Sequence, residues 1–151
     1  MTQEKRKPKY WVIVASKDHV KTGITEGIAQ ACHGKSSPLK RMAKEDFLIY
    51  YSGKKKFGKA EKCKEFTAIG KVIDDEIYTF QMTADFCPSR RNIEFYESED
   101  VSITSLVENL DFIQNKKSWG YTFRFGFFEI NKHDFDLIST LMLKSNYAQI
   151  S

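Results

Sequence analysis

At 151 residues the chain has room for one domain, since folding at that length hides about two-thirds of the surface an extended chain exposes. Its composition, 41% hydrophobic and 29% charged with a modest net charge of +4, is that of a globular protein, and a 14% aromatic share led by 12 Phe and 7 Tyr favours strands. No apolar run approaches the ~20 residues that span a bilayer, and the opening MTQEKRKPKYW lacks the apolar core of a secretion signal, so a membrane protein is excluded and a cytoplasmic one expected.

Residues 1–9 are polar and basic and read as a flexible tail, residues 10–145 as the single domain, and residues 146–151 as a second tail. Tyr10 to Ala15, YWVIVA, is an aromatic and β-branched run expected to form a strand buried on both sides. Ser16 offers an N-cap for a short helix through His19 and Lys21, with Gly23 as its stop. After an irregular stretch, Pro38 in a first turn predicts a short helix over PLKRMA. Strands follow at Phe47–Tyr51, Phe66–Ile73, Tyr78–Met82 and Ile93–Tyr96, the first two separated by a lysine-rich loop from Gly53 to Lys64. Ser105 to Leu110 is spaced for a short helix. Tyr121 to Ile130 alternates as a strand interrupted by Gly126, and Asn131 caps a terminal helix whose Phe135, Ile138, Leu141 and Met142 share one face. About six strands with two or three short helices predict an α+β fold, a mixed barrel-like sheet capped by helices.

Charge is unevenly spread. From His33 to Lys64 there are ten Lys/Arg against three Asp/Glu, whereas Glu94 to Asp111 carries six acids and no Lys/Arg. Such a split lets one face attract phosphates while another repels them, although solvated surface loops give the same count. Cys32, Cys63 and Cys87 form no CxxC pair, so free thiols are expected and neither a disulfide framework nor a zinc site. His19, His33 and His133 lack HExxH spacing, and no GxSxG, P-loop or GxGxxG pattern is present. Cys32 and His33 are neighbours that point apart along an extended chain, and the acids Asp74, Asp75 and Glu76 read as a solvated turn. No catalytic set, cofactor or metal is expected.

Two stretches carry a family likeness. The run YWVIVASKDHV followed by AQACHGKSSPLKRMAKEDFLIYYS, and the later run LDFIQNKKSWGYTFRFGFFEINKHDF, resemble EVE domains. FTAIGKVIDDEIYTFQM and the arginine pair of SRRNIEF extend the likeness from about Tyr10 to Leu143. The resemblance implies a PUA-like barrel related to the YTH domains, which hold a methylated base in an aromatic cage. It further implies a non-catalytic module that binds DNA or RNA and reads a modified base, chiefly modified cytosine, with a monomer favoured. The alternatives are a small-molecule or peptide binder and an RNA-processing enzyme on the same kind of barrel. One departure is Glu45, which stands where the family usually has the glycine of a lysine-glycine-aspartate turn.

A pocket for a flipped base needs flat rings to replace lost stacking. On the family's pattern Trp11 and Trp119 lie beside the cleft, with Tyr50 or Tyr51 as a third wall; a Trp in a buried strand is equally a core residue. In CHGKSSP, Gly34 lets backbone approach a ligand while Lys35 and two hydroxyls suit phosphate oxygens, and His33 is a donor to base or phosphate. Ser16 is either a contact or only a helix cap. Lys40, Arg41, Arg90 and Arg91 are candidates for phosphate contacts or plain surface charge. Arg124, set between Phe123 and Phe125 on the expected strand, calls for a ligand or for an acid such as Glu129.

Overall fold

The computed structural model describes residues 7–30, 36–56, 58–81, 83–84 and 88–143. Strand β1 (Tyr10–Val14) leads into helix α1 (Lys17–Glu26), β2 (Ile28–Ala29) and α2 (Ser36–Leu39). The hairpin of β3 (Phe47–Lys54) and β4 (Lys62–Val72) follows, then β5 (Tyr78–Thr79), β6 (Ser89–Phe95) and β7 (Val101–Ser102). Three 3-10 segments, Ile103–Ser105, Val107–Asn109 and Trp119–Phe125, precede β8 (Phe127–Ile130) and α3 (Lys132–Met142). The strands form one mixed sheet in the order β2-β6-β4-β3-β1-β8, with β5 on β6 and β7 on β4, curled into a half-barrel. β1 and β3 are parallel, and the crossover between them carries α1, β2 and α2.

Both faces of this sheet are covered, which is why β1 and the Phe47–Tyr51 part of β3 are apolar at every position rather than at alternate ones. Trp11, Ile13, Leu48 and Tyr50 join Val20, Leu39 and Met42 under α1 and α2. Val12, Ile49, Tyr51 and Phe66 face the other way, against Phe135, Ile138 and Met142 of α3 and Leu106, Leu110 and Phe123 of the 3-10 segments. Each such fully buried side chain contributes roughly 1.5 to 3 kcal/mol.

Several elements differ from expectation, each for a local reason. α1 runs on through Gly23 and stops at Gly27; a Cβ at Gly23 would sit 2.9 Å from the carbonyl oxygen of Ile28, so Gly23 is a point of close approach and not a stop. α2 ends at Leu39; beyond it the Ala43 N–H turns to the Asp46 carboxylate (2.9 Å), and the Arg91 guanidinium donates to the carbonyls of Leu39 (2.8 Å) and Met42 (2.5 Å). The expected Ser105–Leu110 helix is two 3-10 turns around Leu106. Tyr121–Phe125 is 3-10 helix and not strand: Gly126, at φ 73, closes it, and only then does the Gly126 carbonyl accept from Val14 N–H (2.8 Å) and pairing with β1 begin. β3 runs on to Lys54, β4 and β6 begin earlier than the expected segments, and β5 stops at Thr79, short of the expected Met82, with residues 80–81 outside any strand.

Two buried carboxylates pin the loops. Asp46 accepts from Lys9 N–H (3.0 Å), Ala43 N–H (2.9 Å) and the Trp11 indole (2.9 Å). Beside it Glu45 adopts the left-handed conformation that favours glycine, at φ 79, with its carboxylate 2.7 Å from Lys71. Asn131 caps α3 through Asp134 N–H (2.8 Å), and the Asp134 carboxylate accepts from Asp111 and Phe112 N–H (2.8 and 2.9 Å), tying the approach to the third 3-10 segment to the helix. Among the described residues no helix is long and apolar enough to cross a membrane.

Candidate nucleic-acid interface

The parallel strands β1 and β3 end side by side, and their carboxyl ends collect groups of a kind that bind. Ala15 N–H donates to the Tyr51 carbonyl (3.0 Å), so Ser16 leaves the sheet next to Tyr51. Ser16 is the N-cap residue of α1, with its carbonyl accepting from Val20 N–H (3.0 Å), yet its side chain makes no capping bond. Its hydroxyl is buried and has no hydrogen-bond partner among the described residues. Lys17 pairs with Asp100 at 2.6 Å, and that hydrogen bond raises its pKa. Asp18 N–H donates to the Lys55 carbonyl (2.9 Å), bringing the β3–β4 hairpin, with exposed Lys54, Lys55, Lys56, Lys59 and Lys62, to the same rim.

An aromatic row leads outward from there. Tyr51 stacks on Phe123 with centroids 3.7 Å apart and planes 10° off parallel, and Phe123 meets Trp119 edge-on at 6.3 Å. Trp119 is half-buried at the end of the row, with the Lys64 ammonium 5.5 Å above its ring. Cys63 lies in the same neighbourhood; burial and a hydrogen bond to Glu65 (3.3 Å) push its thiol up to about 11. Burial likewise raises the Tyr51 phenol.

The expected site residues do not all converge. Trp11 is 1% exposed, donates its indole N–H to Asp46 and stacks on Phe127 at 4.9 Å. Tyr50 shares its cluster and donates to the Gln30 carbonyl at 3.5 Å. The sheet therefore separates Trp11 and Tyr50 from Tyr51 and Trp119, and a single pocket walled by both tryptophans is not formed. Arg91 is 1% exposed and is committed to the Leu39, Met42 and Asp74 carbonyls. Arg90 is bonded to Gln30 (2.6 Å) and Glu26 (3.2 Å) and covers Phe80. Both arginines hold the fold together from inside, where they are not presented to phosphate.

Arg41 and Arg124 are exposed. The Arg41 guanidinium lies 4.9 Å over Trp11, and that of Arg124 lies 5.5 Å from the Tyr121 ring on the 3-10 helix, with no ion pair to Glu129 or any other acid among the described residues. His33, Gly34 and Lys35 lie outside the described residues, as do Cys32, Cys87, most of the N-terminal tail and the whole C-terminal one. Sequence reasoning passed over Phe123, Lys64 and the exposed rings of Tyr121 and Phe125. Asp111, His133 and Asp134 bring their ligand atoms within 4.8 Å of one another, but they already bond to Asn131, to each other and to the backbone of α3's approach.

A curled mixed half-barrel with rings and cations at one rim defines a PUA-like binding module. The chain belongs to the EVE domain family, whose model matches residues 9–141. It is 45% identical over 132 residues to a UPF0310 protein of Mycolicibacterium gilvum, covering 87% of this chain and 94% of that one. A second UPF0310 protein, of Bacillus licheniformis, is 46% identical over 129 residues, covering 85% of this chain and 88% of that one. The fold is similar to the NMR structure of Rpa0253 from Rhodopseudomonas palustris (TM-score 0.54, 17% identity, 88% and 92% of the two chains). It is also similar to a hypothetical protein from Leishmania major (TM-score 0.59, 8% identity, 96% and 98% of the two chains).

Proposed function

We propose that the protein binds DNA or RNA and accepts one modified base, for example a methylated cytosine, at the rim where β1 and β3 end, without acting on it chemically. The observation that carries this reading is the Ser16 hydroxyl, buried at the strand end with no partner. A buried hydroxyl left unpaired costs about 1 to 3 kcal/mol, a cost that a bound polar edge removes. Trp119 supplies a ring for stacking, and Lys64, Arg124 and the hairpin lysines supply cations for phosphates. Arg41, which lies over Trp11 on the other face of the sheet, is not among them. The EVE family membership points the same way. Burial holds the Cys63 thiol and the Tyr51 phenol protonated at neutral pH, which suits recognition better than nucleophilic chemistry.

Fluorescence anisotropy with single- and double-stranded oligonucleotides, each with and without one methylated cytosine or adenine, tests the reading. Binding is expected to be tighter for a modified strand and to weaken between low and moderate salt as counterion release diminishes. No detectable binding of any oligonucleotide at low salt defeats it.

A further inference from the structure

On the 3-10 helix that begins at Trp119, two large rings stand out into solvent: Tyr121 is 60% and Phe125 63% exposed, the most exposed large hydrophobics among the described residues. They are not scattered. The rings form an edge-to-face pair with centroids 5.9 Å apart, and both border a cleft of about 420 Å³ whose floor is Phe112 and Thr122 and whose other edge is Gln114, Asn115 and Ser118. The Asn115 side-chain oxygen accepts from Lys117 and Ser118 N–H (3.1 and 3.2 Å), so the amide is oriented with its NH₂ group as the end left over. No acid lines the cleft, although Asp111 and Glu129 flank the segment and the Phe112 N–H donates to the Asp134 carboxylate (2.9 Å). From Phe112 to Phe128 the sequence has Lys116, Lys117 and Arg124 and no acid. Lys116 is bound to the Leu110 carbonyl, while Lys117 and Arg124 are exposed.

Exposed rings on a monomer are costly to keep, and this pair has what a nucleobase needs. It offers a face to stack on, an amide and hydroxyls for a base edge, and a guanidinium beside the ring for the flanking phosphate. A protein or lipid surface fits less well, because the cleft is polar along one edge and exposed Lys117 and Arg124 belong to its segment. We infer that Tyr121 and Phe125 form a stacking platform for a nucleotide neighbouring the recognised base, so that the ligand is a single-stranded or locally opened segment of nucleic acid and not a lone nucleotide. This inference rests on the reading of the Ser16–Trp119 rim given above. The 3-10 helix makes the two sites one device: Trp119 and Phe125 are separated by two 3-10 turns, about 12 Å along the helix axis, a span of about two nucleotide steps of an extended strand.

The test compares wild type with Tyr121→Ala/Phe125→Ala and with Trp119→Ala, using a nine-nucleotide single strand bearing one modified base and the same modified base as a nucleoside monophosphate. The platform predicts that the double variant binds the single strand about tenfold more weakly while its affinity for the monophosphate stays within about twofold of wild type. Trp119→Ala is expected to lose affinity for both. If the double variant binds the strand as wild type does, the platform is wrong and the rim reading stands. If wild type binds neither ligand, the rim reading itself has failed. Equal losses for strand and monophosphate would place the pair in the primary pocket instead. Unchanged strand binding together with loss of self-association, measured by sedimentation, would assign the rings to a protein contact. Thermal unfolding of the double variant guards against misfolding, and Tyr121→Phe/Phe125→Tyr, which keeps both rings, should restore strand binding.

Discussion

Trp11→Phe separates core from pocket most cleanly. The indole N–H is one of the donors to the buried Asp46 carboxylate, at 2.9 Å, and phenylalanine removes that donor while keeping a ring against Phe127. A hydrogen bond to a charged acceptor contributes about 1.5 to 3 kcal/mol, and the volume lost with the smaller ring costs about 1 kcal/mol more. A loss of about 3 kcal/mol lies within a normal stability of roughly 5 to 15 kcal/mol, so the variant stays folded. With a urea slope of about 2 kcal/mol per molar, the unfolding midpoint should fall by about 1.5 M with no change in slope. Oligonucleotide affinity measured on the folded variant should remain within about twofold of wild type. Trp119→Ala is the mirror image: its half-buried ring costs little stability to remove, and binding should weaken by about 1 to 3 kcal/mol. An unchanged Trp11→Phe midpoint with tenfold weaker binding would refute the assignment of Trp11 to the core.

Three further outcomes are expected. Ser16→Ala removes a hydroxyl with no partner, so the thermal midpoint should hold or rise while modified-base binding drops several-fold; a clear loss of stability would show that the hydroxyl is satisfied in solution. Glu45→Gly relieves about 1 to 2 kcal/mol of left-handed strain but gives up an exposed ion pair and gains unfolded-state freedom, leaving stability within about 1 kcal/mol of wild type. Glu45→Val, β-branched in the same turn, should be the least stable of the three in urea, and equal midpoints for Val and Gly would contradict the positive φ. In a Cys32→Ser/Cys87→Ser protein, Cys63, with its pKa pushed up to about 11, should react with a disulfide reagent at pH 8 more than about tenfold slower than in the urea-unfolded chain. That rate should keep climbing beyond pH 10, and a plateau below pH 9 would overturn the buried-thiol account.

Where a segment's local pattern and its burial agree, the fold was legible in advance. YWVIVA and FLIYY are apolar at every position because both faces of the sheet are covered, and NKHDFDLISTLM carries its cap at Asn131 and its buried face at Phe135, Ile138 and Met142. YTFRF misled because its aromatic alternation fits a strand, whereas a left-handed Gly126 and the buried Phe123 ring hold it as 3-10 helix. Arg90 and Arg91 misled in the opposite sense. Adjacent arginines read as surface charge, and only the tertiary structure supplies the carbonyls of Leu39, Met42 and Asp74 that let one of them be buried.

The aromatic set failed to converge for a reason of parity that composition cannot express. Tyr50 and Tyr51 are neighbours in a strand and must face opposite ways, so the tryptophan each can join depends on the register of β3 against β1. That register pairs Ile13 with Tyr50 and Val14 with Tyr51, which puts Tyr50 on the Trp11 side and leaves Tyr51 to reach Trp119 through Phe123. Ser16 shows the converse case. A serine ahead of a helix reads as a cap by frequency alone, and its backbone does adopt the cap conformation, but its hydroxyl is buried and bonded to nothing. Stability alone would favour a side chain that either caps or carries no hydroxyl. A polar atom kept there at a cost, at the strand end from which Tyr51 and Phe123 lead to Trp119, is what the proposed site for a polar, planar ligand requires before the ligand arrives.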